Sequence, residues 1–410
     1  MGVLCAITFS AKAQQTQADS YTRYELLSPD SNEFRIIYDV SATTPGATYY
    51  WNTLRKGSEH QVTTVRDAYS GEALKWEIVS GALAKKNGLD EAVDNGEYLQ
   101  IQLARAVPPN GEARIRIDKI YADTTSYFQK DNSIVFTRTL GIKRNSIVLP
   151  PQYELTHCNY PSQVQLTPEG QIKLSFMNNG PQAVPLEIKA RPLPANATIK
   201  KPEKNNYSFD SSGNGRNKSK VRSGWEFEER AFQNREIVYF LQQPETHSFR
   251  LYHDYTETKV GMDRYLNIVR AGSKASDPSA ILLDTGEALQ VETLKGKAIT
   301  EKGIDIGDTI TVESEVIAIW YAPLKEGETK RLRITETYTD PNRYVLDDDQ
   351  LVWDRSFGRN RNVVILPPKW FLTTTSIPAV IDQTEDGLTA LHFVNDRPDA
   401  LDVYIRAQRK

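Results

Sequence analysis

The sequence contains the same motif twice, and this repeat constrains the fold more than any other feature. KRNSIVLPPQYELTHCNYPSQV begins at Lys143, and NRNVVILPPKWFLTTTSIPAV begins at Asn360. The correspondence extends along the chain at an offset of 215, which becomes 217 after an insertion in the second copy. A period this long indicates that a whole domain was duplicated. Pairs that keep the register include Tyr24 with Tyr239, Phe34 with Phe249, Asn52 with Asn267, Gly71 with Gly286, Tyr121 with Tyr338, Arg144 with Arg361 and Asn178 with Asn395.

The repeat predicts two homologous domains, at 20–192 and 235–410, each large enough to bury its own core. Residues 1–19 are predicted to be a signal peptide and a short tail. Residues 193–234 are rich in Asn, Ser, Gly and Lys and lack apolar periodicity, so we expect a flexible polar linker or loop. Its surplus of basic residues predicts a solvated segment, with binding of an acidic partner as the alternative.

Alternating apolar residues predict strands throughout each copy. Leu99, Ile101 and Leu103 alternate with polar residues, and a Pro-Pro-Asn-Gly turn separates them from the next alternating run, which contains Ile115 and Ile117. No window of about 12 residues shows the apolar stripe of an amphipathic helix. Short strands at this spacing predict an all-β fold, with an antiparallel β-sandwich in each copy.

The repeated motif itself is interpreted first as a structural device. Proline cannot donate to a strand ladder, so Pro150-Pro151 predicts the end of one strand before the next begins near Tyr153. The Arg-Asn pair that precedes the apolar run is expected to order a turn. Binding through Arg144 and Arg361 is the alternative interpretation of the motif.

Charge and composition exclude several classes of function. The 50 Lys and Arg residues nearly balance the 53 Asp and Glu residues, giving a net charge of −3, so no general affinity for nucleic acid is expected. No apolar run approaches the roughly 20 residues of a membrane-spanning helix.

The amino terminus predicts export. Its short apolar run is followed by Ala11-Lys12-Ala13, a pattern typical of signal cleavage, and then by a Gln-rich stretch. We therefore expect cleavage near Ala13 and a periplasmic or secreted protein. The mature chain would keep one cysteine, Cys158, which excludes an internal disulfide.

Familiar catalytic motifs are missing from the sequence. It contains no HExxH, GxSxG, phosphate-binding GxxxxGK[ST] or CxxC pattern. Asp284-Thr285-Gly286 matches the aspartic protease motif, but that chemistry needs two facing aspartates, and the first copy has Tyr69 in place of Asp284. A turn is therefore predicted there. No catalytic residue and no cofactor are predicted.

Metal binding receives little support from the sequence. The histidines fall at unmatched positions in the two copies: His60, His157, His247, His253 and His392. The acidic pairs Asp39/Asp254 and Asp123/Asp340 are interpreted as turn anchors, with acid–base work as the alternative. The acidic run 347–349 is predicted to be a hairpin tip, with calcium binding as the alternative. No metal site is predicted.

The aromatic residues supply the remaining candidate binding side chains. Most aromatic residues of a β-sandwich belong to its core, but exposed rings in one plane can stack on sugars. Trp51, Trp320 and Trp370 are the candidates, each next to a second aromatic residue.

One run in each copy resembles the N-terminal β-domain of aminopeptidase N-like zinc enzymes. In the first copy it extends from Val107-Pro108-Pro109-Asn110-Gly111-Glu112 to Tyr121, and in the second from Pro323 to Tyr338. The resemblance covers part of each copy and implies a β-sandwich. The zinc-binding HExxH of those enzymes is missing, so the resemblance transfers no active-site residue.

These observations favour a non-catalytic exported binding, adaptor or structural protein with two β-sandwich domains. Its partner would be a protein or another envelope component, bound through the groove between the domains or through loops. The first alternative is a carbohydrate-binding protein, and the second is a hydrolase with an unrecognised site. A cleft with clustered acids and shifted pKa values would favour the hydrolase.

Overall fold

The computed structural model describes residues 20–55, 59–178, 180, 182–197, 199, 229–232, 235–307, 309–397 and 399–409. The predicted signal peptide and most of the predicted linker lie outside these residues. The described chain consists mainly of strands, with two short helices, α1 (Gly81–Lys86) and α2 (Lys297–Glu301), and two one-turn 3-10 helices (Pro29–Ser31 and Pro244–Thr246). None of these described helices has the length and apolar character needed to cross a bilayer.

The strands of the first copy run from Tyr21 to Pro192. They are β1 (Tyr21–Leu26), β2 (Glu33–Ala42), β3 (Tyr49–Leu54), β4 (Glu59–Asp67), β5 (Trp76–Ser80), β6 (Glu97–Gln102), β7 (Ala113–Ala122), β8 (Tyr127–Lys130), β9 (Ser133–Leu140), β10 (Arg144–Val148), β11 (Tyr153–Cys158), β12 (Gln163–Leu166), β13 (Ile172–Met177) and β14 (Val184–Pro192).

The strands of the second copy run from Arg235 to Arg409. They are β15 (Arg235–Leu241), β16 (Ser248–Glu257), β17 (Arg264–Ile268), β18 (Lys274–Leu282), β19 (Glu287–Ala288), β20 (Gln290–Lys295), β21 (Glu315–Trp320), β22 (Lys330–Thr339), β23 (Tyr344–Asp347), β24 (Gln350–Phe357), β25 (Arg361–Ile365), β26 (Trp370–Thr375), β27 (Val380–Gln383), β28 (Thr389–Val394) and β29 (Leu401–Arg409).

Both copies arrange their strands in the same order. The first copy has a large sheet, β12-β13-β10-β1-β2-β7-β4, and two smaller sheets, β11-β14-β9-β8 and β3-β6-β5. The second copy repeats these orders as β27-β28-β25-β15-β16-β22-β18, extended by β19, and as β26-β29-β24-β23 and β17-β21-β20. The pairs β1–β10 and β15–β25 are parallel, whereas every other described strand pair is antiparallel. The sequence prediction of two homologous β-sandwich domains in tandem is confirmed.

Each copy has its own principal hydrophobic core. The core of the first copy joins the large sheet to both smaller sheets, through buried residues such as Phe34 on β2, Leu99 on β6 and Phe136 on β9. The core of the second copy combines the equivalent strands, with Phe249 on β16 and Trp353 on β24. Alternation along each strand places these side chains on the inner face of its sheet.

The Pro-Pro motif moves the chain from one layer of the sandwich to the other. In the first copy β10 belongs to the large sheet, and β11, which starts two residues after Pro151, belongs to a smaller one. Gln152 and the equivalent Lys369 both adopt a left-handed backbone, with φ of 63° and 70°. Asn145 donates to the carbonyl of Ile142 at 2.7 Å, which orders the turn before β10. The motif therefore sets the layer change in both copies.

The two copies contact each other through a buried polar surface. Arg114 of the first copy donates to both carboxylate oxygens of Asp284, from Nε at 2.7 Å and from Nη2 at 3.0 Å. Arg331, which is the equivalent of Arg114, reaches back to Glu112 at 3.1 Å. All four side chains are at most 7% exposed. Equivalent arginines thus pair reciprocally across the contact.

Candidate binding cleft in the first copy

The two arginines of the repeated motif are structural. Arg144 is 3% exposed and donates to the carbonyls of Ala231 and Phe232 at 3.0 and 3.3 Å, so it fixes the segment that precedes the second copy. Arg361 is 8% exposed and pairs with Glu236 at 3.1 Å. Neither guanidinium lies at an open surface, and the two sites are separate.

The tryptophan candidates are mostly covered. Trp51 is 5% exposed, because α1 and the chain around it cover the outer face of the sheet β3-β6-β5. Trp370 is 2% exposed, and its Nε1 donates to Gln243 at 2.9 Å. Trp320 is partly exposed, donates to Glu292 at 3.1 Å and packs against Arg264. Trp51 and Trp370 therefore offer no exposed ring face, which corrects their interpretation as sugar-stacking residues.

A cleft of about 370 Å³ opens in the first copy, where the inner face of the large sheet meets β3 and β9. Its floor comes from β1, β2 and β7, and two of its lining residues, Arg55 and Arg138, also line a second hollow of about 420 Å³. The lining residues are Thr22, Tyr24, Ile36, Tyr38, Asn52, Thr53, Arg55, Lys119, Tyr121, Arg138 and Ile142. None of the five residues predicted from the sequence is among them.

Lys119 is the most unusual group in this cleft. It lies on β7, it is 5% exposed, and its Nζ donates to Oδ1 of Asn52. Burial, together with the charge of the neighbouring Arg138, lowers the pKa of Lys119 to about 7. This amine therefore exchanges protons near neutral pH.

Thr22 also lines this cleft, on β1. Thr22 is 2% exposed, and among the described residues its Oγ1 has no hydrogen-bond partner. A buried hydroxyl without a partner costs free energy.

The two arginines of the cleft, Arg138 and Arg55, both pair with the same carboxylate. Arg138 lies 5.3 Å from the centre of the Phe34 ring, and both Arg138 and Arg55 approach Oδ2 of Asp123 at 3.4 Å. The Asp123 carboxylate also accepts hydrogen bonds from Thr125 and Ser126, so it is the turn anchor that the sequence predicts. Cationic groups therefore line the cleft, and no carboxylate is among its lining residues.

The equivalent region of the second copy has the same framework and different contents. Tyr24, Asn52, Arg55, Tyr121 and Arg138 correspond to identical residues there, at 239, 267, 270, 338 and 355. The other positions change: Thr22 becomes Ile237, Ile36 becomes Leu251, Tyr38 becomes His253, Thr53 becomes Ile268, Lys119 becomes Glu336 and Ile142 becomes Arg359.

These changes fill the second copy with its own side chains. Glu336 is 2% exposed and accepts a hydrogen bond from Nδ2 of Asn267 at 2.7 Å. Burial raises the pKa of Glu336 to about 7, opposed by Asn267, Arg359 and Arg355. Arg359 donates to Nδ1 of His253 at 2.7 Å and to the hydroxyl of Tyr265 at 3.2 Å. The same asparagine thus holds an amine in one copy and a carboxyl group in the other.

The alternation of apolar residues in the sequence indicates that Lys119 and Glu336 are buried. Ile115, Ile117, Lys119 and Tyr121 share one face of β7, so a lysine occupies a position of the core phase. Leu332, Ile334, Glu336 and Tyr338 repeat the pattern on β22. A charged residue in phase with core residues marks a buried ionisable group.

Other residues considered from the sequence have structural roles. Asp284, of the protease-like Asp-Thr-Gly, is fully buried and accepts hydrogen bonds from Arg114 and from the amide of Arg331. Asp348 and Asp349 form the predicted hairpin tip with positive φ. Within the described part of the chain, no three His, Cys, Asp or Glu side chains come together as a metal site.

Comparison with known proteins identifies no family. No protein-family model and no curated protein matches the chain. Among solved structures, an M1 zinc metallopeptidase from Deinococcus radiodurans is similar over 42% of this chain and 41% of its own, with 10% identity and a TM-score of 0.29. An aminopeptidase N family protein from Idiomarina loihiensis matches 42% of this chain and 29% of its own, with 12% identity and a TM-score of 0.27.

Leukotriene A4 hydrolase from Saccharomyces cerevisiae is similar over 46% of this chain and 32% of its own, with 10% identity and a TM-score of 0.26. The chain thus spans well under half the length of each of these proteins. The findings confirm a weak resemblance of part of the chain to aminopeptidase N-like proteins, as the sequence suggests.

Proposed function

We propose that this chain is a non-catalytic exported binding protein, and that the cleft of its first copy holds a small ligand. The observation that carries the proposal is the difference between the two copies. They share the framework of the cleft, but in the second copy Arg359 bonds to His253 and Tyr265 there, whereas the first copy has Ile142 at that position and an open volume of about 370 Å³. After a duplication, one copy can keep a structural role while the other copy forms a binding site on the same fold.

The contents of the cleft favour binding over hydrolysis. Its lining residues provide hydroxyl, amide and cationic groups and aromatic rings, without the carboxylate or histidine that most general acid–base steps use. Its size lies at the lower end of the range for small-molecule sites. The contact between the copies, where a ligand-binding groove was expected, is occupied by the ion pairs of Arg114 and Arg331.

The proposal is tested by a fragment screen of the full chain with ligand-observed NMR. Ile142→Arg introduces the residue that the second copy carries at the equivalent position, so this change should fill the cleft and preserve the fold. We expect fragments that bind the wild type and lose binding to this variant. Ile381→Arg, at a half-exposed position on β27, is the matched control and should retain them. If Ile142→Arg removes no fragment, the cleft is not a binding site.

A further inference from the structure

We infer that the cleft of the first copy recognises a carboxylate attached to a small apolar or aromatic body. This inference rests on the proposed binding function and specifies the chemical class of its ligand. It is drawn from the charges that line the cleft, from the equivalent residues of the second copy and from the aromatic walls.

The first argument is charge. Lys119, Arg138 and Arg55 line the cleft, and Asp123, which pairs with both arginines, is not among the lining residues and also accepts hydrogen bonds from Thr125 and Ser126. Lys119 and Arg138 are both little exposed, and the positive charge of Arg138 helps to lower the pKa of Lys119. An anion brought in by a ligand would relieve this repulsion and pair with donors that are already in position.

The second argument is that the second copy places a carboxyl group within the same framework. Glu336 occupies the position of Lys119, accepts from Asn267 and lies near Arg355 and Arg359. In the first copy the equivalent framework has an amine in place of that carboxyl group. A ligand carboxylate beside Lys119 and Arg138 would complete an acid–base pairing that the second copy makes internally.

The third argument concerns the rest of the ligand. Tyr24, Tyr38, Ile36 and Ile142 supply aromatic and apolar walls, and Asn52 and Thr53 line the cleft beside them. Apolar walls with a few convergent polar groups are typical of small-molecule sites. The ligand therefore combines one anionic group with a compact apolar portion.

The test compares phenylacetate with phenylacetamide, which has nearly the same shape and no charge. Binding of each to the full chain is measured by titration calorimetry at pH 6.5, where Lys119 is mostly protonated. We expect phenylacetate to bind at least tenfold more tightly than phenylacetamide. Lys119→Met should remove this preference. Glu336→Gln is the control in the second copy and should leave both affinities unchanged.

The outcomes separate this inference from the proposed function. Equal binding of the two probes, with loss of both in Ile142→Arg, would overturn the carboxylate inference and keep the cleft as a binding site. A preference for phenylacetate that persists in Lys119→Met and Ile142→Arg would place the anion elsewhere and also overturn it. If neither probe binds while neutral fragments bind in an Ile142-dependent manner, only the carboxylate inference fails. If no compound binds in that manner, the proposed function fails with it.

Discussion

At the scale of single residues, the two copies show opposite solutions for one buried position. Lys119 and Glu336 lie at equivalent points of β7 and β22, and each is bonded to an equivalent asparagine. Asn52 offers its oxygen to the amine, whereas Asn267 offers its nitrogen to the carboxyl group. Both residues are nearly fully buried, so burial disfavours the charged form of each side chain. The free energy of unfolding should therefore depend on the pH range in which each side chain is charged.

Because of Lys119, the free energy of unfolding should rise with pH between about pH 7 and pH 10.5. Its folded-state pKa of about 7 lies below the ordinary value of 10.5, so between these values the unfolded chain binds a proton that the folded chain does not. Stability should therefore increase from pH 7 towards 10.5 at up to about 1.4 kcal/mol per pH unit. Urea denaturation of wild type and Lys119→Met checks this: the variant should be the more stable near pH 7, and its advantage should shrink by pH 10. A constant difference would contradict the shifted pKa.

Because of Glu336, the free energy of unfolding should fall as the pH rises from 4.5 to about 7. Its folded-state pKa of about 7 lies above the ordinary 4.5, so between these values the folded chain holds a proton that the unfolded chain has released. Stability should fall as pH rises from 4.5 to 7, again at up to about 1.4 kcal/mol per pH unit. Glu336→Gln should match the wild type near pH 4.5 and exceed it at pH 8 in the same denaturation assay. Equal stability at pH 8 would mean that the carboxylate is better solvated than its burial indicates.

At the scale of elements, sequence patterns predicted what depends on local chemistry. The Pro-Pro break, the Asn-ordered turn and the positive-φ hairpin tips follow from the limits that proline, asparagine and aspartate place on the backbone. The helix α1 was not predicted, because its six residues are too few to show a helical period. Its local signals were the Ser80 N-cap, whose hydroxyl accepts from the amide of Leu83, and the lysines Lys85 and Lys86 in its last turn.

The cleft could not be predicted in the same way. It is formed where β1, β2, β3, β7 and β9 converge, and Lys119 and Asn52 are 67 residues apart in the chain. One sequence gives the phase of each strand but not which strands face one another across the sandwich. The unexpected phase of Lys119 shows that a charged group is buried, and only the sheet order shows what surrounds it.

Trp51 illustrates how an element can hide a predicted binding residue. Its ring lies in a small cluster with Val79, Ala84 and Tyr98 on the outer face of its sheet. Trp51→Ala should therefore lower the free energy of unfolding by about 3–5 kcal/mol, the usual cost of removing a buried aromatic ring. Thermal denaturation of the full chain measures this, with the half-exposed Trp76→Ala as a control that should cost much less. An unchanged stability together with lost sugar binding would restore the carbohydrate interpretation.

At the scale of the whole molecule, duplication also shapes the contact between the copies. The equivalent arginines Arg114 and Arg331 each pair with an acid of the other copy. The shared Ser/Thr-Gly turn also takes part, since a Cβ on Gly71 would lie 2.5 Å from the carbonyl oxygen of Gly327. The contact therefore uses the same parts of the domain on both sides, as a two-fold related dimer interface does.

Asp284 should be the most sensitive residue of this contact. Its carboxylate is fully buried and accepts from Arg114 and from the amide of Arg331, so Asp284→Ala would leave a buried guanidinium without its acid. Breaking a buried ion pair in this way costs about 3–5 kcal/mol, whereas replacing both partners by apolar residues can be close to neutral. Calorimetry of the full chain should therefore show a large loss of stability in Asp284→Ala and partial recovery in Arg114→Met/Asp284→Met.

The more exposed pair of Arg116 and Asp39 provides the matched control for that loss. It has a similar bidentate geometry, at 2.7 and 2.8 Å, but Arg116 is half exposed, so Asp39→Ala should cost about 1 kcal/mol or less. A larger loss in Asp39→Ala than in Asp284→Ala would show that the contact between the copies contributes little to stability. The expected order would instead show that the contact between the copies contributes to the stability of the chain, through the residue that in sequence resembles a protease aspartate.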